Sequence, residues 1–315
     1  MELKWLEDML VLLEEGSFSR AAERRHVTQP AFSRRIRSLE DWLGVDVVDR
    51  STQPIRLSEA ARRCEPEMRA LATRLYELRS RFRSEDGHAR RVSFACMHTL
   101  AVSAFPSLIQ LIDASIGRTS YRLRSENKGD CITELVRGSV DFMLCYESAG
   151  RRTQLPAGMT ESLLLGHDRL VPVVGGSLRY RLDERGLPPD PVPLLTYPEG
   201  SFLGQALSEA CVPGLVKRHA VEWVYESAYT ASVKEMVLGG MGMAWLPSSM
   251  AMRDIQSGRM LSLSGAYACC DLDIVLHCNV RSARAYAQEL FGELKRVMAG
   301  RRTSGRPYLE PSLAC

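Results

Sequence analysis

The sequence predicts an α/β protein built from an N-terminal winged helix-turn-helix, a long linker helix and a larger domain of alternating strands and helices. Three observations lead to this prediction. A proline interrupts an otherwise helical stretch at residues 18–44 and divides it into two helices. Apolar residues then recur at three- and four-residue spacing between 59 and 83, as on one side of a long helix. Beyond residue 91, short β-prone runs alternate with helical segments, which is typical of α/β domains.

The composition of the 315-residue chain is that of a globular protein, with 45% hydrophobic and 25% charged residues. Acids interrupt the first 18 residues, so we expect no signal peptide. No uncharged apolar run reaches about 18 residues, so we expect no contact with a membrane. Nine scattered cysteines without a C-x-x-C spacing are expected to be reduced thiols in the cytoplasm.

Pro30 marks the start of the second helix. Thr28 precedes it and is expected to be the N-cap, with its hydroxyl accepting an amide hydrogen of the first turn. Gln29 and Pro30 then lie in that first turn, where amide hydrogens have no partner within the helix and proline is tolerated. We therefore predict helices at 18–25 and 29–43, joined by a short turn.

The second helix has an apolar and a polar face at about 100° per residue. The apolar face consists of Phe32, Ile36, Leu39 and Leu43. The polar face consists of Pro30, Ser33, Arg34 and Arg37, with Gln29 at its edge. A solvated helical hairpin would explain the apolar face and the six arginines at 18–40. It would not explain amide and guanidinium groups gathered at the N-terminal end, where a recognition helix meets the bases of DNA.

These residues predict contacts with double-stranded DNA. We expect Gln29, Ser33 and Arg34 to contact base edges. The residues expected to position the phosphate backbone are Thr28, Arg35, Arg37, Arg50 and Arg56. The last two belong to a predicted wing, in which β-prone runs at 45–48 and 55–57 flank a turn.

A long helix is predicted at 59–83, with Pro66 expected to kink or restart it. Its apolar side consists of Met68, Leu71, Leu75, Leu78 and Phe82, which we call the linker seam. The seam is too long for a small winged domain to cover. We therefore expect it to pair with a second copy of the chain.

The N-terminal residues resemble the LysR-type family of transcriptional regulators. The resemblance rests on S-F-x-x-A-A at 17–22, V-T-Q-P-A-x-S-R at 27–34 and L-E-x-x-L-G at 39–44. It extends more weakly to about residue 299, and PLLTYPEGSFLGQAL and GMGMAWLP look most similar to a hypochlorite-responsive subgroup. The resemblance implies a two-lobed α/β effector domain of periplasmic-binding-protein type. It also implies a dimer or tetramer on an interrupted inverted repeat in promoters, together with RNA polymerase.

The alternation of elements predicts a parallel sheet with helices on both faces. Predicted strands lie at 92–97, 121–124, 141–146, near 163, and at 170–174, 194–197, 221–225, 243–246 and 271–278. Predicted helices lie at 101–112, 130–137, 202–211, 229–238 and 283–298. We expect a DNA-binding domain at 1–58, a linker and dimerisation helix at 59–88, an effector-binding domain at 89–300 and a mobile tail at 301–315. The resemblance implies lobe I at 89–165 and 268–300, and lobe II at 166–267.

In such a fold, ligands bind beyond the carboxyl ends of the strands, in the cleft between the lobes. The polar and aromatic residues predicted at those ends are His98, Thr99, Asn127, Tyr197, Ser201, Phe202, Tyr229 and Thr230. Taken singly, Ser201 and Thr230 are equally compatible with helix caps, and His98 with a structural histidine. As a set, they predict an effector pocket, and helix N-termini favour a small anionic effector with an apolar body.

Other classes of function lack their sequence signatures. A solute-binding protein would need export, and the chain has no G-x-S-x-G, H-E-x-x-H, Walker or Rossmann pattern. We expect no catalytic site, no metal site and no cofactor. One alternative stays open, an oxidant-responsive regulator switched by methionine or cysteine oxidation. Its candidate methionines are Met236, Met241, Met243, Met250 and Met252.

Overall fold

The structure is a computed structural model that describes residues 3–49, 56–85, 91–117, 119–155, 158–281 and 283–302. The chain forms two compact units, Met1–Arg83 and Ser84–Cys315. Within the described ranges, every helix is too short or too polar to cross a membrane.

The first unit begins with three helices, α1 (Leu3–Glu15), α2 (Phe18–Arg24) and α3 (Gln29–Leu43). The last two coincide with the predicted helices to within one residue. Phe32 and Ile36 of α3 are fully buried, and Phe32 meets Phe18 edge to face at 6.1 Å between ring centroids. Gly44 ends α3 in the left-handed conformation, with φ 72°, which glycine adopts without a steric penalty.

The wing is a two-stranded ladder, in which β1 (Val48–Asp49) pairs antiparallel with β2 (Arg56–Leu57). The predicted pairing of two strands is confirmed for the described part of the wing. Arg50 and the turn at 51–54 lie outside the described residues. The buried carboxylate of Glu40 accepts the amide hydrogens of Val47 and Val48 at 3.2 and 3.3 Å. The recognition helix and the wing are therefore joined by polar contacts as well as by the apolar core.

The linker helix α4 (Glu59–Glu85) spans 27 residues without interruption. The predicted restart at Pro66 is therefore wrong. A proline inside a helix removes one backbone hydrogen bond, and the backbone is helical on both sides of it.

The second unit contains nine strands and eight α-helices among its described residues. The strands are β3 (Arg91–Met97), β4 (Ser120–Glu126), β5 (Phe142–Glu147), β6 (Thr160–Gly175), β7 (Val192–Thr196), β8 (Val221–Glu226), β9 (Ala244–Pro247), β10 (Met260–Ser262) and β11 (Cys270–Asn279). The helices are α5 (His98–Ser103), α6 (Phe105–Ile116), α7 (Lys128–Val136), α8 (Phe202–Ala210), α9 (Val212–Val216), α10 (Thr230–Leu238), α11 (Ser248–Gln256) and α12 (Ala285–Arg302). A 3-10 helix occupies Gly176–Tyr180.

The main sheet has the strand order β10-β6-β11-β5-β3-β4, and β9 also pairs with β6. The prediction of a parallel sheet holds for β3 with β4 and β5, and for β7 with β8. It is wrong for β9, β10 and β11, which pair antiparallel with β6, and for β11 with β5. The strand β6 carries the chain from lobe I into lobe II and β11 carries it back, so these two strands run in opposite directions.

The strand β6 belongs to both lobes. Its first part pairs with β11, beside the β3–β5 sheet of lobe I, and its last residues pair with β9 and β10 of lobe II. The runs predicted separately near 163 and at 170–174 are therefore one strand of 16 residues. The helix predicted at 101–112 is in turn two helices, because it breaks at Ala104.

Candidate functional site

The polar face of α3 is accessible. Its exposed members are Thr28, Gln29, Pro30, Arg34 and Arg37, and Ser33 is half-buried. Thr28 occupies the N-cap position as predicted, but its side chain makes no capping hydrogen bond in the described structure, so this part of the prediction is wrong. On the apolar face, Phe32, Ile36 and Leu39 are buried. Leu43 is 39% exposed, because it lies in the last turn of the helix, beyond the packed core.

Two arginines of this unit, one of them the predicted phosphate contact Arg35, are held by α1. The fully buried Asp8 accepts hydrogen bonds from Arg25 Nε at 2.6 Å and from Arg35 Nη1 at 3.3 Å. Arg25 also pairs with Glu7 at 2.7 Å. Sequence analysis did not identify Asp8, although an acid on the apolar side of α1 was the available signal. Arg35 therefore positions α3 against α1, whereas Arg34 and Arg37 are exposed.

The wing and the linker helix contribute further exposed residues. Arg56 lies exposed on β2. On the linker seam, Leu71 and Leu78 are 46% and 49% exposed. Met68 and Leu75 are half-buried, and the side chain of Phe82 lies outside the described set. Exposed leucines seven residues apart on one helix are typical of a surface that a partner covers.

The predicted cleft residues come together between the two lobes of the second unit. Thr99 of α5 and Thr230 of α10 are both buried, and their hydroxyls are hydrogen-bonded at 2.7 Å. His98 Nδ1 lies 2.8 Å from Ser125 Oγ, and its ring lies 4.8 Å from that of Tyr229. Residues separated by 131 positions in the sequence thus join lobe I directly to lobe II.

A cavity of about 20 Å³ lies beside this contact. Six of the eight predicted residues line it, and they are His98, Thr99, Asn127, Tyr197, Ser201 and Phe202. Its volume accommodates about one water molecule. The lobes are therefore closed on each other in this structure, and a larger molecule requires them to separate.

Two residues of the cavity wall are engaged in the structure of lobe II. Ser201 accepts the amide hydrogen of Gly204 at 3.0 Å and so caps α8. The hydroxyl of Tyr197 donates to the Trp245 carbonyl at 2.9 Å. Both side chains shape the pocket and hold lobe II together at the same time.

Lys128, the first residue of α7, is a cavity residue that sequence analysis missed. Its ammonium group donates to the Tyr146 carbonyl at 2.8 Å and lies 4.3 Å from the centre of the Phe202 ring. Burial lowers the pKa of this amino group below its usual value. A partly desolvated cation beside an aromatic ring is suited to an anion with an apolar body.

A larger cavity, of about 360 Å³, lies on lobe II and is lined by residues that include Trp223, Glu226 and Glu199. All of its lining residues belong to lobe II, with Tyr197 shared between the two cavities. A ligand there would touch one lobe only. Such a ligand would bind almost equally well to different arrangements of the two lobes. The cleft between the lobes is therefore the stronger candidate for an effector site.

A second polar cluster lies inside lobe I, where Cys145 and Glu147 of β5 meet His277 of β11. His277 Nε2 and Glu147 Oε1 are 3.1 Å apart. Burial alone would lower the pKa of His277, but hydrogen bonds to Cys145 and Glu147 outweigh it and raise the pKa to about 9. Burial would likewise raise the pKa of Glu147, but hydrogen bonds from His277 and Thr153 lower it to about 2. The two groups therefore form a buried ion pair at neutral pH.

Comparison with known proteins gives matches to both units. The bacterial regulatory helix-turn-helix model of the lysR family matches residues 3–62, and the LysR substrate binding domain model matches residues 85–299. The HTH-type transcriptional regulator YjiE of Escherichia coli is 28% identical over 273 residues, which cover 84% of each chain.

Two similar solved structures have the same architecture. Full-length HypT from Salmonella typhimurium, a hypochlorite-specific LysR-type transcriptional regulator, has a TM-score of 0.56 and 26% identity, over 95% of this chain and 99% of its own. DarR from Vibrio fischeri, solved in complex with DNA, has a TM-score of 0.52 and 28% identity, over 93% and 97% of the two chains. These matches confirm the winged helix-turn-helix and the two-lobed effector domain. The chain belongs to the LysR family of DNA-binding transcriptional regulators.

Proposed function

We propose that α3 enters the major groove of promoter DNA at an interrupted inverted repeat. The chain acts there as a dimer or tetramer, in the cytoplasm and together with RNA polymerase. The exposed N-terminal half of α3 supports this, with Gln29 and Arg34 free of the core and Ser33 at its edge. The similarity to DarR, which was solved with DNA, supports it as well. The residues assigned to the phosphate backbone are Thr28, Arg37, Arg50 and Arg56. Arg35 was predicted among them, and we leave it out because its side chain bonds to Asp8.

We further infer that the effector is a small anionic molecule with an apolar body, bound between lobes I and II. The observation that carries this inference is Lys128, a partly desolvated ammonium group in the wall of a cavity that both lobes line. Phe202 supplies an apolar surface at 4.3 Å, and the hydroxyl of Thr99 lies in the same wall. An effector that touches both lobes binds one lobe arrangement better than another, which is the requirement for a switch.

A thermal-shift screen of the full chain tests this inference. We expect small carboxylic acids to raise the melting temperature in a concentration-dependent way, because a ligand that binds only the folded state stabilises it by mass action. Lys128→Gln should lose the shift, and Lys217→Gln, which removes an exposed lysine of lobe II, should retain it. Stabilisation by amines but not by acids, or an unchanged shift in Lys128→Gln, would contradict the inference.

The oxidant-responsive reading stays as a second candidate because HypT, a similar protein, is a hypochlorite-specific regulator. Within the methionine group, Met243 and Met250 are buried, and Met241 is 49% exposed. Methionine oxidation is reversible by reductases. If this reading is correct, hypochlorite should convert Met241 first and change DNA affinity, and Met241→Leu should abolish that change.

A further inference from the structure

We propose that Cys145, Glu147 and His277 form a binding site for a divalent transition-metal ion of the zinc class. The three side chains offer one thiol sulfur, one carboxylate oxygen and one imidazole nitrogen, all within 4.8 Å of one another. All three residues are buried. No local sequence motif marks this cluster, because 130 residues separate Glu147 from His277.

The strands fix the positions of the three groups. Cys145 and Glu147 are two residues apart on β5 and so lie on the same side of the sheet. His277 reaches them from β11, the neighbouring antiparallel strand. Both strands are buried around these residues, and the ligand atoms lie within 4.8 Å of one another. In a tetrahedral site with bonds of 2.0–2.3 Å, ligand atoms are about 3.3–3.8 Å apart.

The donor set selects the metal class. Thiolate and imidazole ligands favour zinc, cobalt and related ions, whereas magnesium and calcium prefer oxygen ligands. Metal binding displaces the proton of the thiol and the proton that His277 carries in the ion pair. The resulting thiolate, carboxylate and neutral imidazole carry two negative charges. A bound divalent cation therefore balances the charge of its three ligands.

The surroundings also suit a metal site. The amide of Thr153 donates to Glu147 Oε1 at 3.0 Å, and its hydroxyl lies 3.6 Å from Cys145 Sγ. Such outer contacts orient metal ligands. Lys128 binds the carbonyl of Tyr146, the residue between the two β5 ligands, so the proposed site lies directly behind the effector cleft. A bound ion would fix the part of β5 that supports the cleft lysine.

Cobalt titration of the full chain tests the proposal. The protein is purified without a polyhistidine tag, stripped with a chelator and kept reduced. We expect a thiolate-to-cobalt charge-transfer band that saturates at one Co²⁺ per chain and disappears when Zn²⁺ is added. Cys145→Ser and His277→Gln should weaken binding by about 100-fold, since loss of a mere supporting contact already costs 10–100-fold.

The matched control is the double variant Cys269→Ser, Cys270→Ser, which removes two partly buried thiols at the start of β11, seven or more residues from His277, and should keep the band. X-ray absorption at the zinc edge of this control protein should show one sulfur ligand, and this measurement does not depend on the folding of the site variants. No charge-transfer band in the wild-type protein, or a zinc shell without sulfur, would overturn the proposal. A band that survives Cys145→Ser in a folded protein would overturn it too. The cluster would then be a structural ion pair.

Discussion

Arg34 and Arg35 are neighbours in α3, yet their surroundings differ. Arg34 is exposed on the polar face, and Arg35 bonds to the buried carboxylate of Asp8. A buried carboxylate is costly unless it is paired. Arg35 and Arg25 together meet that need, so part of the positive charge at 18–40 stabilises the fold. Arg34 and Arg37 remain exposed on α3.

This contrast predicts different consequences for two alanine substitutions. On a DNA ligand selected from a random library, Arg34→Ala should cost roughly 1–3 kcal/mol of binding free energy and relax one base position. Arg35→Ala should lower the melting temperature, because Asp8 loses a partner, and leave the base preference unchanged. Fluorescence anisotropy on selected and scrambled DNA measures the first effect, and thermal unfolding measures the second. Equal loss by Arg34→Ala on both DNAs would assign Arg34 to phosphate.

For single residues, sequence analysis located much of the cleft but missed its charged residue, Lys128. Thr99, Ser201 and Phe202 were predictable because residues that follow parallel strands face a common cleft. Lys128 was not, because a lysine at the start of a helix is ordinarily solvated, and only the fold shows that it is partly buried. The ion pair of His277 with Glu147 was beyond sequence reasoning, since the register of β11 on β5 decides it.

Among the helices and strands, the linker helix α4 stands out because apolar residues of its seam are exposed. Leu71 and Leu78 expose nearly half of their side-chain surface. Each square ångström of apolar surface removed from water stabilises by about 25 cal/mol. A second copy of α4 would cover both leucines, and a dimer would present two recognition helices to the two halves of an inverted repeat.

The double substitution Leu75→Glu, Leu78→Glu tests the linker seam. It places four charges in a two-chain interface, so we expect monomers with strongly reduced operator affinity. Light scattering gives the mass, and anisotropy gives the affinity. Glu67→Gln with Arg74→Gln, two exposed positions of the same helix, serves as the control and should leave the mass unchanged. A double variant that keeps its dimer mass would place the interface elsewhere.

The strands that sequence analysis placed wrongly are governed by long-range pairing. Helix α3 was found at its correct bounds because its start and end have local signals, Pro30 and Gly44. The single strand β6 was divided into two, because no local feature shows that β11 accompanies it for most of its length. The periodicity of apolar residues identifies a helix or strand in the sequence, whereas pairing with neighbouring strands determines how long a strand is.

In the whole molecule, DNA contact and effector sensing belong to different compact units. Within the second unit, the two lobes meet at the bond between Thr99 and Thr230, and the adjoining cavity is too small for a metabolite. An effector of the proposed kind, bound between the lobes, would require them to separate and this bond to open. It shifts the equilibrium by the difference between its affinities for the two arrangements.

The substitution Thr99→Val tests whether the contact between the two lobes takes part in the effector response. Valine has nearly the shape of threonine but removes the hydroxyl, which costs about 1 kcal/mol for one neutral hydrogen bond. The hydroxyl of Tyr197 lies close to that of Thr230, so the remaining partner keeps a polar neighbour. We expect the effector response to be lost, because Thr99 lines the cavity and the effector loses a polar contact with lobe I. DNA affinity without the effector should change little.

Thr133→Val is the matched control, because it removes a hydroxyl from α7 that bonds only within its own helix, to the Gly129 carbonyl, and it should respond as the wild type does. The oxidant reading predicts the opposite pattern, in which Thr99→Val still responds to hypochlorite and leucine replacements in the methionine group do not. Reporter expression under metabolite and oxidant induction separates the two. If the Thr99→Val strain keeps its full response to every metabolite that induces the wild type, the interlobe contact is not the switch.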